Sequence, residues 1–299
     1  MRDEDKAAHD YTETWCKSGE IGYVEVSGGA RVRYLRVGSG PPLILMHTVR
    51  TQLDHFQRVV PLVTDAYAVH AVDFPGMGWS DIVPGASYEE PALRAAVVRL
   101  VEDLDLSDLT LAGESIGATL SLTASVDLGE RVRRVVAFNT YDFADGVKRA
   151  NLLARQAVGS IRAPVIGPLV ARTENRQILR GILGGGLHDP SQLPGHYLDE
   201  LRRVGRRPGY PAVARAIYRN LESLIAARER YARIDVPVTL VYGEEDWSRP
   251  SDRQADIESV PGASDIVLRD TGHFAALEAP DDWARILLGD APERAAQPA

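Results

Sequence analysis

The chain has 299 residues, 44% of them hydrophobic and 25% charged, which suits a folded globular protein with a large buried core. Its formal net charge of −8 argues against nucleic acid as a partner, because gripping phosphates needs a basic face. A single cysteine, Cys16, excludes an intrachain disulfide, residues 1–6 offer no secretory signal, and no apolar run approaches the ~18 residues of a membrane span; a cytoplasmic protein without a membrane partner is expected.

Residues 1–19 are polar and are expected to form a loosely ordered terminus. Apolar patterns over 21–26 and 32–37, on either side of Ser27-Gly28-Gly29, predict a hairpin. The apolar run 43–46 reads as a strand buried on both faces. A helix is expected over 54–63, a strand over 67–72, and a helix over 87–104, where Leu93, Val97, Leu100, Val101 and Leu104 recur at helical spacing. Then come a strand over 109–112, a helix over 116–128 and a strand over 132–138. Such alternation implies a parallel sheet covered on both faces.

From about 144 to 233 no strand pattern is found. Helical stretches there are separated by Pro and Gly clusters, and the longest helix is expected over 211–228. Gly184-Gly185-Gly186 lacks both a preceding strand and a nearby Lys, so it reads as a flexible turn, not a phosphate-binding loop. Strand and helix alternate again over 238–242, 252–258, 266–268 and 281–288, and a disordered tail is expected over 291–299. The fold class is therefore α/β: a mostly parallel central sheet of about eight strands, helices on both faces, and a helical cap inserted after the sixth strand. In numbers, 20–143 and 234–290 form the core, 144–233 the cap, and 1–19 and 291–299 flexible termini.

The chemistry centres on Gly113-Glu114-Ser115-Ile116-Gly117, which joins a predicted strand to a predicted helix. A serine at such a sharp turn projects its hydroxyl, and its flanks must be small to avoid collision. A serine hydroxyl needs an imidazole to take its proton, and the imidazole needs an orienting carboxylate. In an open parallel sheet such groups gather at the carboxyl ends of strands. Asp246 follows the strand 238–242 and His273 follows the strand 266–268, so the chain order is Ser115, Asp246, His273.

Taken with Tyr242-Gly243-Glu244-Glu245-Asp246, Asp270-Thr271-Gly272-His273-Phe274 and the turn Asp73-Phe74-Pro75-Gly76-Met77-Gly78-Trp79-Ser80, this pattern resembles the α/β-hydrolase fold superfamily, in its capped serine hydrolase form, from about residue 21 to 288. The resemblance implies Asp246, over its competitors Glu244 and Glu245, as the acid. It implies the backbone amides of Val49 and Ile116 as an oxyanion hole. Where such enzymes read His-Gly-X, this chain has His47-Thr48-Val49, so Thr48 is a candidate substrate contact. Plant-type hydroxynitrile lyases of this fold share His-Thr here but tend to carry Lys after the catalytic His, where this chain has Phe274. Arg50, Asp54 and His55 are expected at the pocket mouth, with Arg50 a candidate for holding a substrate carboxylate. Glu114 is expected to pack under the turn.

The leading expectation is hydrolysis of a carboxylic ester, or a related acyl bond, of a small substrate through an acyl-enzyme. Ser at 115, in place of Asp, disfavours the alkyl-enzyme route of related haloalkane dehalogenases and epoxide hydrolases. Apolar cap residues Ile161, Val165, Ile166, Leu169, Val170 and Ile182 suggest a mainly apolar substrate, although packing would explain most of them. No metal-ligand spacing and no dinucleotide fingerprint is found, so neither metal nor cofactor is expected. Two alternatives use the same residues differently. One is a lyase, C–C bond hydrolase or biosynthetic thioesterase or cyclase; the other is a ligand receptor that binds without turnover.

Overall fold

The computed structural model describes residues 10–289 except 27, 145, 150–151 and 173–174. Eight strands form one sheet: β1 (Glu20–Val26), β2 (Ala30–Val37), β3 (Pro42–Met46), β4 (Ala68–Val72), β5 (Leu109–Glu114), β6 (Val132–Phe138), β7 (Val238–Gly243) and β8 (Ser264–Leu268). Their order across the sheet is β1-β2-β4-β3-β5-β6-β7-β8. The β1–β2 hairpin and the β2–β4 pair are antiparallel, and every other pairing is parallel.

The helices, in chain order, are α1 (Tyr11–Trp15), α2 (Val60–Val63), α3 (Glu90–Asp103) and α4 (Ile116–Leu128). Between β6 and β7 come α5 (Gly146–Arg149), α6 (Leu152–Arg162), α7 (Gly167–Val170), α8 (Arg176–Gly184), α9 (Gly195–Gly205), α10 (Tyr210–Arg219) and α11 (Leu221–Ala226). These make the helical cap inserted after the sixth strand. The chain closes with α12 (Pro250–Ser259), α13 (Ala275–Glu278) and α14 (Pro280–Leu288).

The two-residue period of the strands decides which face each side chain serves. In β3, Ile44 and Met46 join α3 and α4 in one cluster, while Leu43 and Leu45 join α2 and α14 in another. All four are fully buried, each contributing about 1.5–3 kcal/mol on removal from water. On the second face Trp283 of α14 stacks on Phe138 of β6, ring centroids 3.5 Å apart. A third cluster joins Leu179 and Leu183 of α8 and Tyr197, Leu198 and Leu201 of α9 to Phe274 and Leu277, so the cap is seated on the segment after β8.

Three local expectations are corrected. Residues 10–19 are ordered: Asp10 caps α1 through a bond from the Thr12 amide, and Thr12 is 1% exposed. The cause is a pair of buried charges that need partners. Asp54 accepts from the Thr12 hydroxyl at 2.6 Å and from the Trp15 indole at 2.8 Å. Arg33, 0% exposed, bonds Asp10 at 2.6 Å and Asp73 at 3.2 Å. Residues 1–9 and the tail 291–299 lie outside the described residues.

The expected helix over 54–63 is a 3-10 turn, Leu53–Phe56, followed by the single turn α2, because Asp54 is spent on α1 and Pro61 starts a new helix. The expected long helix over 211–228 breaks at Asn220 (φ −98°, ψ 10°), which ends α10 and opens α11. The longest helix described is α3, with 14 residues.

Where the chain returns from cap to sheet, two carboxyl groups are buried together. Asp142 accepts from the Tyr231 hydroxyl at 2.5 Å. Asp256 accepts from Tyr242 at 2.7 Å and Thr140 at 2.9 Å, and Arg228 reaches its other oxygen at 3.1 Å.

Candidate active site

Ser115 stands between the last residue of β5 and the first of α4 with φ 60° and ψ −119°, a backbone conformation costing about 1–3 kcal/mol in a residue with a Cβ. The tightness of the turn explains its glycines. A Cβ on Gly113 would stand 2.3 Å from the Gly117 backbone, and one on Gly117 would stand 2.1 Å from the Met46 carbonyl oxygen. The Ser115 amide donates to the Phe138 carbonyl at 2.9 Å, tying the turn to β6.

His273 follows β8 and is fully buried. Its Nε2 lies 2.9 Å from Ser115 Oγ, and its Nδ1 lies 2.5 Å from Asp246 Oδ1. Asp246 Oδ2 accepts from the Ser248 amide at 2.9 Å and from the Ser248 hydroxyl. Burial pushes the Asp246 carboxyl up, but the charge of His273 and the hydrogen bonds from His273 and Ser248 outweigh it, leaving the group below its usual range. An ionised Asp246 holds the proton on His273 Nδ1, which leaves Nε2 free to accept one from Ser115. Glu245, the rival acid, is instead at the surface, 2.7 Å from His188 Nδ1.

The two oxyanion candidates are oriented by their neighbours. The Thr48 carbonyl accepts from His47 Nδ1 at 2.7 Å and from the Thr51 hydroxyl at 2.9 Å. In a trans peptide the following N–H points the opposite way, so these bonds turn the Val49 amide outward. His47 is neutral: burial drives its pKa down to about 4, and its Nε2 accepts from the Phe74 amide at 3.1 Å. The Ser115 carbonyl accepts from the Ala118 and Thr119 amides, which aims the Ile116 N–H off the positive end of α4. Neither the Val49 nor the Ile116 amide has a protein acceptor among the described residues. The Thr48 hydroxyl is likewise buried with no hydrogen-bond partner among them.

Three further groups hold this arrangement in place: Glu114, as expected, and Asn139 and Trp247, which sequence inspection overlooked. Asn139, just past β6 at φ 49°, donates to the Gly272 and His273 carbonyls at 3.1 and 3.0 Å and accepts from the Gly243 amide at 2.7 Å. The one available signal was a polar residue ending the strand next to β5. Glu114 lies under the turn, bonding His55 Nε2 and the Ala276 amide, so it joins the serine turn to the start of α13. Trp247 stacks on His273, centroids 4.0 Å apart and planes 13° from parallel.

The cap closes over this loop through Gly186, which is not a flexible turn. Its carbonyl accepts from the His273 amide at 2.6 Å and the Phe274 amide at 3.3 Å. Gly185 accepts from the Trp247 indole at 3.3 Å. Ser115 is 0% exposed under this cover.

Asp54 and His55 do not line a pocket mouth; both are 0% exposed, held by the bonds already described. Burial raises the Asp54 pKa to about 6. Arg50 is 5% exposed, at φ 67°, with its guanidinium 4.8 Å from the centre of the Tyr210 ring. Of the apolar cap residues, Ile161 and Ile182 are buried, while Val165, Ile166 and Leu169 are exposed.

Comparison with known proteins gives a consistent answer on architecture. The alpha/beta hydrolase fold family matches residues 41–280. Haloalkane dehalogenase 2 of Mycobacterium tuberculosis (strain ATCC 25618 / H37Rv) is 26% identical over 276 residues, which cover 88% of this chain and 92% of that protein. Wild-type Cfl2 from Burkholderia cenocepacia superposes with a TM-score of 0.79 at 22% identity, covering 91% of this chain and 95% of that one. A mutant of the meta-cleavage product hydrolase CumD from Pseudomonas fluorescens IP01 gives 0.74 at 19% identity, covering 90% and 97%. At these identities the solved structures speak to the fold alone. No helix among the described residues is long and apolar enough to cross a membrane.

Proposed function

The chain belongs to the alpha/beta hydrolase fold family and is a hydrolase of that fold; from this premise we propose that it cleaves a carboxylic ester, or a related acyl bond, of a small, mainly apolar substrate. The observation that carries the reading is the relay Asp246–His273–Ser115, bonded at 2.5 and 2.9 Å. In this reading His273 Nε2 takes the Ser115 proton as Oγ attacks the acyl carbon, and Asp246 stabilises the imidazolium. The Val49 and Ile116 amides receive the oxyanion, each such donor being worth about 3 kcal/mol in the transition state. His273 then protonates the leaving alkoxide and later takes a proton from the water that cleaves the acyl-enzyme.

The nucleophile argues for acyl over alkyl transfer. Displacement at a saturated carbon by Ser115 would leave an ether with no carbonyl for water to attack. A carboxylate nucleophile, by contrast, leaves an ester that water can open. Haloalkane dehalogenation, the activity named for one relative, is therefore not the reading favoured here. Tyr141, Trp247 and Phe274 around His273 suit an apolar acyl group, and the unpartnered Thr48 hydroxyl suits a polar atom of the substrate.

A fluorophosphonate probe and a series of chromogenic esters test the proposal together. Native protein is expected to label and to turn over short apolar esters. Ser115→Ala is expected to lose labelling and about four orders of magnitude or more in kcat. Native protein that neither labels at neutral pH nor turns over any ester sinks the reading.

A further inference from the structure

The cap contains a cleft of about 600 Å³ whose lining includes Arg172, Arg206, Arg207, Arg215 and Arg219 but none of Ser115, Asp246 or His273. One wall is a single face of α10, and the other comes from the end of α7. The volume lies in the range of small-molecule sites.

The number of arginines gathered in one place is what sets this cleft apart. Elsewhere Arg31, Arg33, Arg94, Arg131, Arg149, Arg176 and Arg230 each meet a carboxylate, while Arg58 and Arg134 are satisfied by neutral acceptors. Among the described residues none of the five cleft arginines meets a carboxylate. Arg207 donates to the carbonyls of Gly78 and Ser80, with Asp73 and Asp81 near enough to act on it only through space. Arg215 donates to the Ala163 carbonyl at 3.1 Å, while its buried Nε has no acceptor. Arg172, Arg206 and Arg219 are exposed. Arg215 and Arg219 stand four residues apart on α10, a spacing at which like charges repel.

A chain with eight more acidic than basic residues thus gathers five guanidinium groups around one concavity, none of them in contact with a carboxylate among the described residues. Guanidinium forks match phosphate oxygens two bonds at a time, and several together suit a ligand with more than one negative charge. We propose that this cleft binds a small molecule bearing two or more phosphate groups, at a site separate from the acyl-transfer centre. The concave shape and modest volume favour a small ligand over an acidic protein face, which would need a broad flat patch.

Calorimetric titration of the full chain, and of Ser115→Ala, with inorganic pyrophosphate, ATP and coenzyme A tests this site independently of the proposed reaction. At least one probe is expected to bind one to one, in both proteins alike. Binding by pyrophosphate alone makes the phosphates sufficient; tighter binding of ATP or coenzyme A adds the nucleotide body. The double variant Arg172→Gln/Arg219→Gln changes two exposed side chains. It is expected to weaken binding about tenfold or more while leaving ester turnover unchanged. Arg176→Gln, whose arginine already pairs with Asp199, is expected to leave affinity intact. No binding of any probe at about 1 mM, or equal affinity in the double variant, overturns the proposal. So does capture of an acidic protein with none of the three probes bound.

Discussion

In the proposed reaction His47 acts without touching the reacting atoms. Its neutral ring donates to the Thr48 carbonyl and accepts from the Phe74 amide, and so sets the direction of the Val49 N–H. His47→Phe keeps the ring contact with Phe74 but removes both bonds. It is expected to lower kcat about 10- to 100-fold with KM little changed, and His47→Gln, which restores a donor, to recover part of the loss. Equal falls in stability and activity, with no difference between Phe and Gln, would point to packing alone. Ser115, Asp246 and His273 were legible because each lies at a strand end inside a short motif. His47 and Asn139 were not, because their partners stand far along the chain: Phe74 is 27 residues from His47, and Gly272 is 133 from Asn139.

At the scale of elements, the sheet strands were the readable part, since a buried strand announces itself in a short apolar run. The cap was readable only as helical. Its breaks depend on tertiary contacts: α10 stops at Asn220, and the Ser223 hydroxyl that donates to the Asn220 carbonyl at 2.6 Å accepts in turn from the distant Glu90 amide at 2.9 Å. Gly186 looked like slack and is a seam. A Cβ there would stand 2.5 Å from the Phe274 ring and 3.0 Å from Trp247. Gly186→Ala is therefore expected to cost about 1–3 kcal/mol in stability and to lower kcat by displacing the His273 loop. At Gly184 the nearest atom to an added Cβ is Pro190 Cβ at 3.4 Å, so Gly184→Ala should leave melting temperature and kcat nearly unchanged. Matching losses at the two positions would remove Gly186 from this role.

For the whole molecule, the pairing of Asp142 with Asp256 links folding to acidity. Burial raises both carboxyls, and the charge of Asp256 raises Asp142 further. A carboxyl with a raised folded-state pKa binds its proton more tightly folded than unfolded. Its contribution is therefore full at low pH and is lost as pH climbs through the folded value. Asp142→Asn removes one of the two charges while keeping an acceptor for Tyr231. Its melting temperature is expected to exceed the native one at about pH 8, with the gap closing toward about pH 5. A gap independent of pH would detach the pair from that trend. Nothing in the local sequence marks this pair, because Asp142 and Asp256 belong to segments brought together only when the chain re-enters the sheet.

The indole lying flat on His273 gives the protein an optical gauge of its own. Light emitted by Trp247 is quenched more by a protonated imidazole than by a neutral one, so gain or loss of that proton alters the brightness of the chain. Trp15, Trp79 and Trp283 set the background, and replacing Trp247 with Phe isolates the signal. The resting charge of the ring at the heart of the site can thus be followed in a cuvette, with no substrate present.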